Sequence, residues 1–487
     1  MRIIRKLLAK LNWSKKRYFA FIALIFFVTY IISAFYQVYK PLPEGLAYQG
    51  QATASEVEFL SDISYINADG KHQRQQHIFD AVLNMINEAQ STIVLDMFLF
   101  NAETANATVK HRPLTQEITE ALLEKKRANP MMEIKLITDP INTMYGAIDA
   151  PHLHQLNKAG IEVITSDLTT LRASNPTWTG FWYMCCQGLG NNLQGGWINN
   201  PLSGEKITLR SYLNFINFKA NHRKVLVVDS IEGWKALISS ANIHDASSAY
   251  SNVAVVVKAK VATEVLNTER TVAKLSQGDV PVVIMGNLPT QAELPTVQLL
   301  TEGAIHHEIL AAIDVLKAGD RLDLMMLYLS ERKIIDAMLA AKQRGVQLRV
   351  LLDPNNNVLG HQHQGIPNRP VASELNDAGI LVRWCNPQAE QCQSKMLISS
   401  VKGQQQMIIG SANYTARDLK NYNLNTNLSI KGTATYPALA QAQTYFDRAW
   451  ANQNGEKMSV DYAVLKDEST FSYGVYRFIE WSGLMRF

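Results

Sequence analysis

Two stretches of the chain pass through the same series of local patterns in the same order, and a sequence that repeats itself at this scale is constrained to build two similar halves. In the first, residues 78–86 place apolar side chains at helical spacing and residues 91–99 read as a strand; in the second, residues 308–316 and 321–328 do the same. Each stretch continues through another helix to a short strand stopped by Asp139-Pro140 or Asp353-Pro354, then to a helix, a glycine (Gly160 or Gly379) and a further strand. A glycine at that junction is a helix C-cap signal, because it takes a left-handed backbone without steric cost. Strand–helix–strand alternation predicts an α/β fold of two similar halves related by pseudo-two-fold symmetry, each a mixed, largely parallel sheet flanked by helices. The halves are drawn at residues 64–275 and 276–450, with a C-terminal extension over 451–487.

Ahead of the repeat, Tyr18 to Tyr39 is a run of 22 uncharged residues with aromatic side chains at both ends. At 1.5 Å per residue it crosses a hydrocarbon core of about 30 Å. The run is longer than a signal-peptide core, and no small-x-small cleavage site follows it, so an uncleaved signal-anchor is expected. Residues 1–17 carry seven basic side chains (Arg2, Arg5, Lys6, Lys10, Lys15, Lys16, Arg17) and no acid. This basic segment belongs in the cytoplasm, with a transmembrane helix over 18–39, a linker over 40–63, and the body on the periplasmic or extracellular side. Of a net charge of +4, those seven leave the other 470 residues at −3. A general nucleic-acid binder carries a basic excess instead, so no nucleic-acid partner is expected. The four cysteines, Cys185, Cys186, Cys385 and Cys392, form no Cys-x-x-Cys and have no histidine pair beside them. No metal or other cofactor is therefore expected. An outward-facing compartment permits a Cys385–Cys392 bridge, with reduced, buried thiols as the alternative. The sequence carries no signal for oligomeric state.

The residues able to carry chemistry stand at matching places in the two halves. His222, Lys224 and Asp229 form His-x-Lys-x4-Asp, and Ser240 and Asn242 follow in Ser-Ser-Ala-Asn. His222 and Lys224 alternate onto one face of a β-branched run. An imidazole can attack the phosphorus of a diester while an ammonium neutralises a nonbridging oxygen. Asn242 can donate to another oxygen, and Asp229 can orient a neighbour. In the second half, Lys395 precedes Gly-Ser-Ala-Asn with Ser411 and Asn413; 20 positions separate Gln393 from Asn413, as 20 separate His222 from Asn242.

This pattern resembles the phospholipase D superfamily, whose members carry two His-x-Lys-x4-Asp motifs, each followed by Gly-Ser-x-Asn. The likeness covers about residues 65–450, and stretches such as 217–224 and 365–370 are similar to bacterial phospholipase D-like and cardiolipin synthase-like proteins. The resemblance implies two phospholipase D-like halves whose motifs face each other across a cleft. It also implies a phosphohistidine on one histidine, protonation of the leaving alcohol by the other, and chemistry without a metal. Water then gives hydrolysis, and a second alcohol gives transphosphatidylation. His222 becomes the nucleophile, Lys224 and Lys395 the phosphate clamps, Asn242, Asn413, Ser240 and Ser411 phosphate-binding donors, and Asp229 an orienting carboxylate.

The second motif departs from that pattern, with Gln393 in place of the histidine and Ser400 in place of the aspartate. Glutamine can hydrogen-bond a phosphate but cannot attack it or release a proton, and a general acid contributes about 10²–10⁴-fold. The expectation is a membrane-anchored phospholipase D-like phosphodiesterase or phosphatidyltransferase acting on phospholipid, with impaired turnover. Its alternatives are a non-catalytic phospholipid- or phosphate-binding protein and a nuclease of the same superfamily.

Other features are weaker. His361 and His363, in a polar loop after the strand ending at Asp353, could replace the missing proton donor or be surface histidines. From Asp139 to His222 is 83 positions, against 40 from Asp353 to Gln393. The excess includes residues 175–201, rich in aromatics, readable as a membrane-facing lip or as a loop packed on itself. His306 and His307 are expected on the surface, and residues 478–487 could dock on the body or on a bilayer.

Overall fold

The computed structural model describes residues 14–103, 111–202, 204–285, 293–355, 357–358, 361–362, 365–466, 473–474, 476–478 and 480. The chain begins with α1 (Lys15–Tyr39), the one described helix long and apolar enough to cross a membrane. The first half contains β1 (Thr53–Ala54), β2 (Val57–Ile66), β3 (His72–Gln75), α2 (Ile78–Glu88), β4 (Thr92–Met97) and α3 (Leu114–Ala128). It continues with β5 (Glu133–Thr138), α4 (Pro151–Lys158), β6 (Glu162–Thr165), α5 (Pro176–Cys185) and α6 (Leu209–Phe215). It closes with β7 (Lys224–Ser230), β8 (Gly233–Ser239), β9 (Asn252–Lys258) and α7 (Ala259–Leu275). The second half contains β10 (Thr296–Thr301), α8 (Gly303–Asp314), β11 (Arg321–Met326), α9 (Arg332–Gln343), β12 (Gln347–Leu352) and α10 (Asn368–Asp377). It ends with β13 (Leu381–Cys385), β14 (Met396–Val401), β15 (Gln404–Gly410), β16 (Thr426–Thr433), α11 (Pro437–Ala451) and β17 (Ser459–Asp461).

The internal repeat becomes two sheets with one strand plan. One is ordered β3-β2-β9-β8-β7-β4-β5-β6, the other β1-β10-β16-β15-β14-β11-β12-β13-β17. Seven consecutive strands correspond one for one, from β2 and β10 at one end to β6 and β13 at the other, with the same sense at every pairing. Gly160 and Gly379 follow their helices with φ of 83° and 77°, the left-handed C-cap in both copies.

The sheets are mixed but not largely parallel: in each seven-strand plan only β4-β5-β6 or β11-β12-β13 runs parallel. The reason lies after the motifs. β7 and β8, and β14 and β15, are joined by two-residue turns, too short for the crossover that parallel strands need. The segment expected as a linker also differs. β1 pairs with β10 of the second half and β2 with β9 of the first, so the chain past α1 is stitched into both sheets. Along β2, Glu58 and Asp62 alternate with buried Val57, Phe59 and Ile63, and Asp62 is itself buried. The C-terminal extension adds β17 to β13 and buries Tyr476 in the second half.

One apolar core lies between the sheets, where Val225, Val227 and Val255 pack with Met396, Ile398 and Ile430, flanked by Val265 of α7 and Phe446 of α11. Separate cores sit outside each sheet, under α2–α4 on one side and α8–α10 on the other. Each fully buried aliphatic side chain contributes about 1.5–3 kcal/mol, so burying both faces of β7 and β14 holds the motif strands firmly. His306, expected on the surface, is buried with Nε2 3.1 Å from Glu331.

Candidate active site at the seam of the halves

Both motifs begin where their strand leaves its own sheet and meets the other half. The His222 N–H donates to the Leu424 carbonyl (2.9 Å), whose own N–H donates to Ala220 (3.0 Å). In return, the Gln393 N–H donates to the Ser251 carbonyl (2.8 Å) and the Ser251 N–H to Gln391 (3.0 Å). Each half thus contributes the short parallel bridge that fixes the other's motif. The Asp-Pro stops complete the cradle. Asp139 accepts from the Asn221 N–H (2.7 Å) and Asp353 from the Cys392 N–H (2.9 Å), the residues just before positions 222 and 393. Burial pushes these carboxyls up, to about 7 for Asp139 and about 6 for Asp353. Cys392 is further tied by a disulfide to Cys385, and Cys185 is bridged to Cys186.

The two lysines repeat one contact. Lys224 Nζ donates to the His222 carbonyl and Lys395 Nζ to the Gln393 carbonyl, each at 2.8 Å. Both are almost wholly buried, at 1% and 2% exposure. Burial and the neighbouring Lys395 ammonium push Lys224 well below its usual value; burial brings Lys395 down to about 7 against the pull of Asp418 and Asp353. Burial disfavours the charged form of both lysines, and a bound anion beside them would favour it.

His222 lies against this pair. Its Nδ1 is 3.1 Å from Asn425 Oδ1 and 4.0 Å from Asp418 Oδ2, and its ring stands 4.9 Å from that of Phe98. Burial and Lys224 lower its pKa to about 3, with Asp418 opposing and Lys395 adding to the fall. The imidazole is therefore neutral near pH 7. Holding Nδ1–H on Asn425 fixes the tautomer whose Nε2 carries a lone pair, as nucleophilic attack requires. Asp418 itself is buried, but His222, Asn423 and Asn413 hold it below its usual value. Arg223, between the histidine and lysine, pairs with Glu269 (3.1 Å) and with Glu302 of the second half (2.7 Å). Glu302 also accepts from the Asn425 N–H (3.2 Å), so one ion network ties the histidine's partner to its strand.

The seam gathers His222, Lys224 and Lys395, and it sets other expected residues aside. Asp229 does not face the histidine. It sits at the far end of β7, where its carboxylate accepts from the N–H groups of Ser91 (3.0 Å) and Thr92 (2.7 Å) and the Ser91 hydroxyl (2.6 Å). Six residues, five of them in β7, separate His222 from Asp229, enough to carry the carboxylate about 20 Å away. Ser400 stands at the corresponding end of β14, opposite Arg321 and away from the seam. The Ser240 and Ser411 hydroxyls donate to Asn252 (2.9 Å) and Asn425 (3.1 Å). Asn242 Oδ1 accepts from the Leu99 N–H (3.4 Å), and Asn413 turns its amide onto Asp418 (2.9 Å) while its buried Oδ1 has no hydrogen-bond partner. Gln393 donates to Gln391 (2.9 Å), and its buried Oε1 is also without a partner. His363 lies outside the described residues, as does the side chain of His361.

Sequence reading missed Asp418, Asn425 and Phe98. The Asp-Pro pairs were visible, but only as strand stops. Asn425 follows Ser411 by 14 positions whereas Asn252 follows Ser240 by 12, so the register that exposed the lysines breaks here.

Residues 311–450 match the family described as Cardiolipin synthase, PLD-like domain. No curated protein matches the sequence. Among solved structures, the phosphatidylserine synthase of Haemophilus influenzae Rd KW20 aligns with a TM-score of 0.55 and 12% identity over 89% of this chain and 94% of that one. A polyphosphate kinase from Porphyromonas gingivalis aligns at 0.46 with 13% identity over 88% and 53%, respectively. Nuc, a phospholipase D family member from Salmonella typhimurium, aligns at 0.25 with 22% identity over 34% and 97%. The likeness to the synthase is one of fold, and the family match falls on the half with the altered motif. Residues 311–450 are thus similar to the cardiolipin synthase PLD-like domain, and the chain as a whole shares the fold of the synthase.

Proposed function

We propose that this protein is a membrane-anchored phospholipase D-type phosphodiesterase or phosphatidyltransferase acting on phospholipid. The observation that carries the reading is the neutral His222, held by Asn425 beside the Lys224–Lys395 pair. His222 Nε2 attacks phosphorus, the N–P bond forms and the bond to the leaving oxygen breaks, while the two ammonium groups take up charge on the nonbridging oxygens. Water or a second alcohol then attacks phosphorus, the N–P bond breaks to release His222, and the proton of the attacking oxygen passes to solvent. Gln393 has no proton to give the leaving alkoxide, so solvent must supply it and the first step is slow for ordinary alcohols. α1 anchors the chain with its basic N-terminus in the cytoplasm and the body on the outer side.

A second reading, a phospholipid-binding protein without turnover, is favoured by Gln393 and by the Asn413 amide turned onto Asp418. The test is headgroup release from phospholipid vesicles by wild type and His222→Ala, with acid-labile phosphohistidine trapping. Release and trapping that both vanish in the variant support catalysis. Binding without either favours the second reading.

A further inference from the structure

The aromatic insertion of the first half packs on the anchor helix. α5 runs alongside the outward portion of α1, parallel to it and in one register: Tyr30 Oη donates to the Thr177 carbonyl (2.9 Å) and Ser33 Oγ to the Gly180 carbonyl (3.0 Å). A Cβ at Gly180 would stand 2.9 Å from the Ala34 backbone, so the helices touch at a glycine, the close approach by which membrane helices pack without a hydrophobic drive. Beyond these contacts, the Ala173 N–H donates to the Gln37 carbonyl (2.8 Å) and Lys40 Nζ to Thr169 (2.6 Å).

Depth follows from the anchor. Its uncharged run lies between Arg17 and Lys40, and a core of about 30 Å takes about 20 of those residues. Tyr30, Ser33 and Ala34 then fall within the outward leaflet, and their partners Thr177 and Gly180 share that depth. The composition agrees: from Ala173 to Gly204 there are 32 residues without a charge, in a chain that is 18% charged. Phe181 projects from α5 at 38% exposure, while cations gather at the outward end. Lys40 and Lys219 lie 5.6 and 5.3 Å from the Tyr183 ring centre and Arg210 lies 5.6 Å from that of Trp182, a height that suits phosphate headgroups. The insertion also reaches the motif. Asn175 donates to the Ile216 carbonyl (3.2 Å), and a cavity of ≈ 420 Å³ runs from Trp182, Tyr183 and Arg210 to Ser166, whose hydroxyl accepts from Asn221.

We infer that α5 is immersed in the same leaflet as the outward half of α1, so that a two-helix wedge and not a single tether holds the body. This rests on reading α1 as membrane-spanning. The wedge fixes the body's tilt and keeps the His222 strand close to the headgroup layer. The test uses the full chain in phosphatidylethanolamine/phosphatidylglycerol nanodiscs, with photoreactive benzoylphenylalanine replacing Phe27, Phe181 or, as a remote exposed site, Val464. Lipid adducts at 27 and 181 but not 464 are expected. Adducts at 27 alone overturn the wedge and leave the anchor; adducts at neither 27 nor 181 overturn both. Adducts at all three show a body lying on the bilayer and overturn a specific wedge. Gly180→Leu is expected to reduce the Phe181 adduct at least tenfold while the Phe27 adduct persists; an unchanged Phe181 adduct counts against the close packing.

Discussion

Positions 222 and 393 occupy the same cradle and differ in what surrounds them. Both have their N–H bound across the seam, both follow an amide held by an Asp-Pro carboxylate, and both precede a lysine bound to their own carbonyl. His222, however, faces Asn425 and Asp418. The residues at matching places for Gln393 are Asn252 and Ser247, neither a carboxylate, and the Asn252 amide nitrogen and the Ser247 hydroxyl are both buried without a hydrogen-bond partner. The cradle is therefore separable from the chemistry. Main-chain bonds and two buried carboxyls build it twice, while the polar shell that readies an imidazole is built once.

His222→Ala should have the greatest effect on turnover. Phospholipid headgroup release should fall on the order of 10³-fold or more, since no other group takes over the nucleophile. An unchanged rate would remove the distinction between the two positions. Gln393→His should act in the opposite direction, raising turnover of phospholipid by about 10²-fold. The same variant should do little to a nitrophenyl phosphodiester, whose leaving group departs without a proton. An equal gain on both would mean that glutamine limits binding and not protonation.

The two sites also differ in what they titrate. His222, held at about 3, stays neutral through the working range, whereas Lys395, held at about 7, loses its proton as pH rises. For the free enzyme kcat/KM should accordingly fall above about pH 7, and Lys395→Arg should carry that limb to higher pH because a guanidinium stays charged. A limb that does not move belongs to another group. The smallest effects are expected at the motif ends. Asp229→Ala should lower unfolding stability by about 2 kcal/mol through three lost charge-assisted hydrogen bonds, with kcat/KM within about twofold of wild type. Ser400→Asp should change stability by no more than about 0.5 kcal/mol. Denaturant titration beside steady-state kinetics separates these outcomes.

The sequence disclosed the duplication, the lysines, the histidine and the altered Gln393, because these recur at equal spacing. It hid Asp418 and Asn425 because they come from the opposite half, beyond the point where the copies keep register. Asp229 lies at the far end of its strand, and the Ser240 and Ser411 hydroxyls are taken up by Asn252 and Asn425. A motif written as one string invites the view that its members meet, but a carboxylate five residues along a strand from Lys224 is carried away from it. The strand content of residues 57–63 was masked for a similar reason, since polar residues on the alternate face made a buried strand resemble a linker.

The seam is fastened mainly by peptide groups, and this has a consequence for descent. A glutamine codon differs from a histidine codon by one nucleotide, and neither side chain is needed for the N–H of position 393 to reach Ser251. Lineages carrying this architecture can thus exchange the side chain at position 393 in a single step without rebuilding the cleft itself.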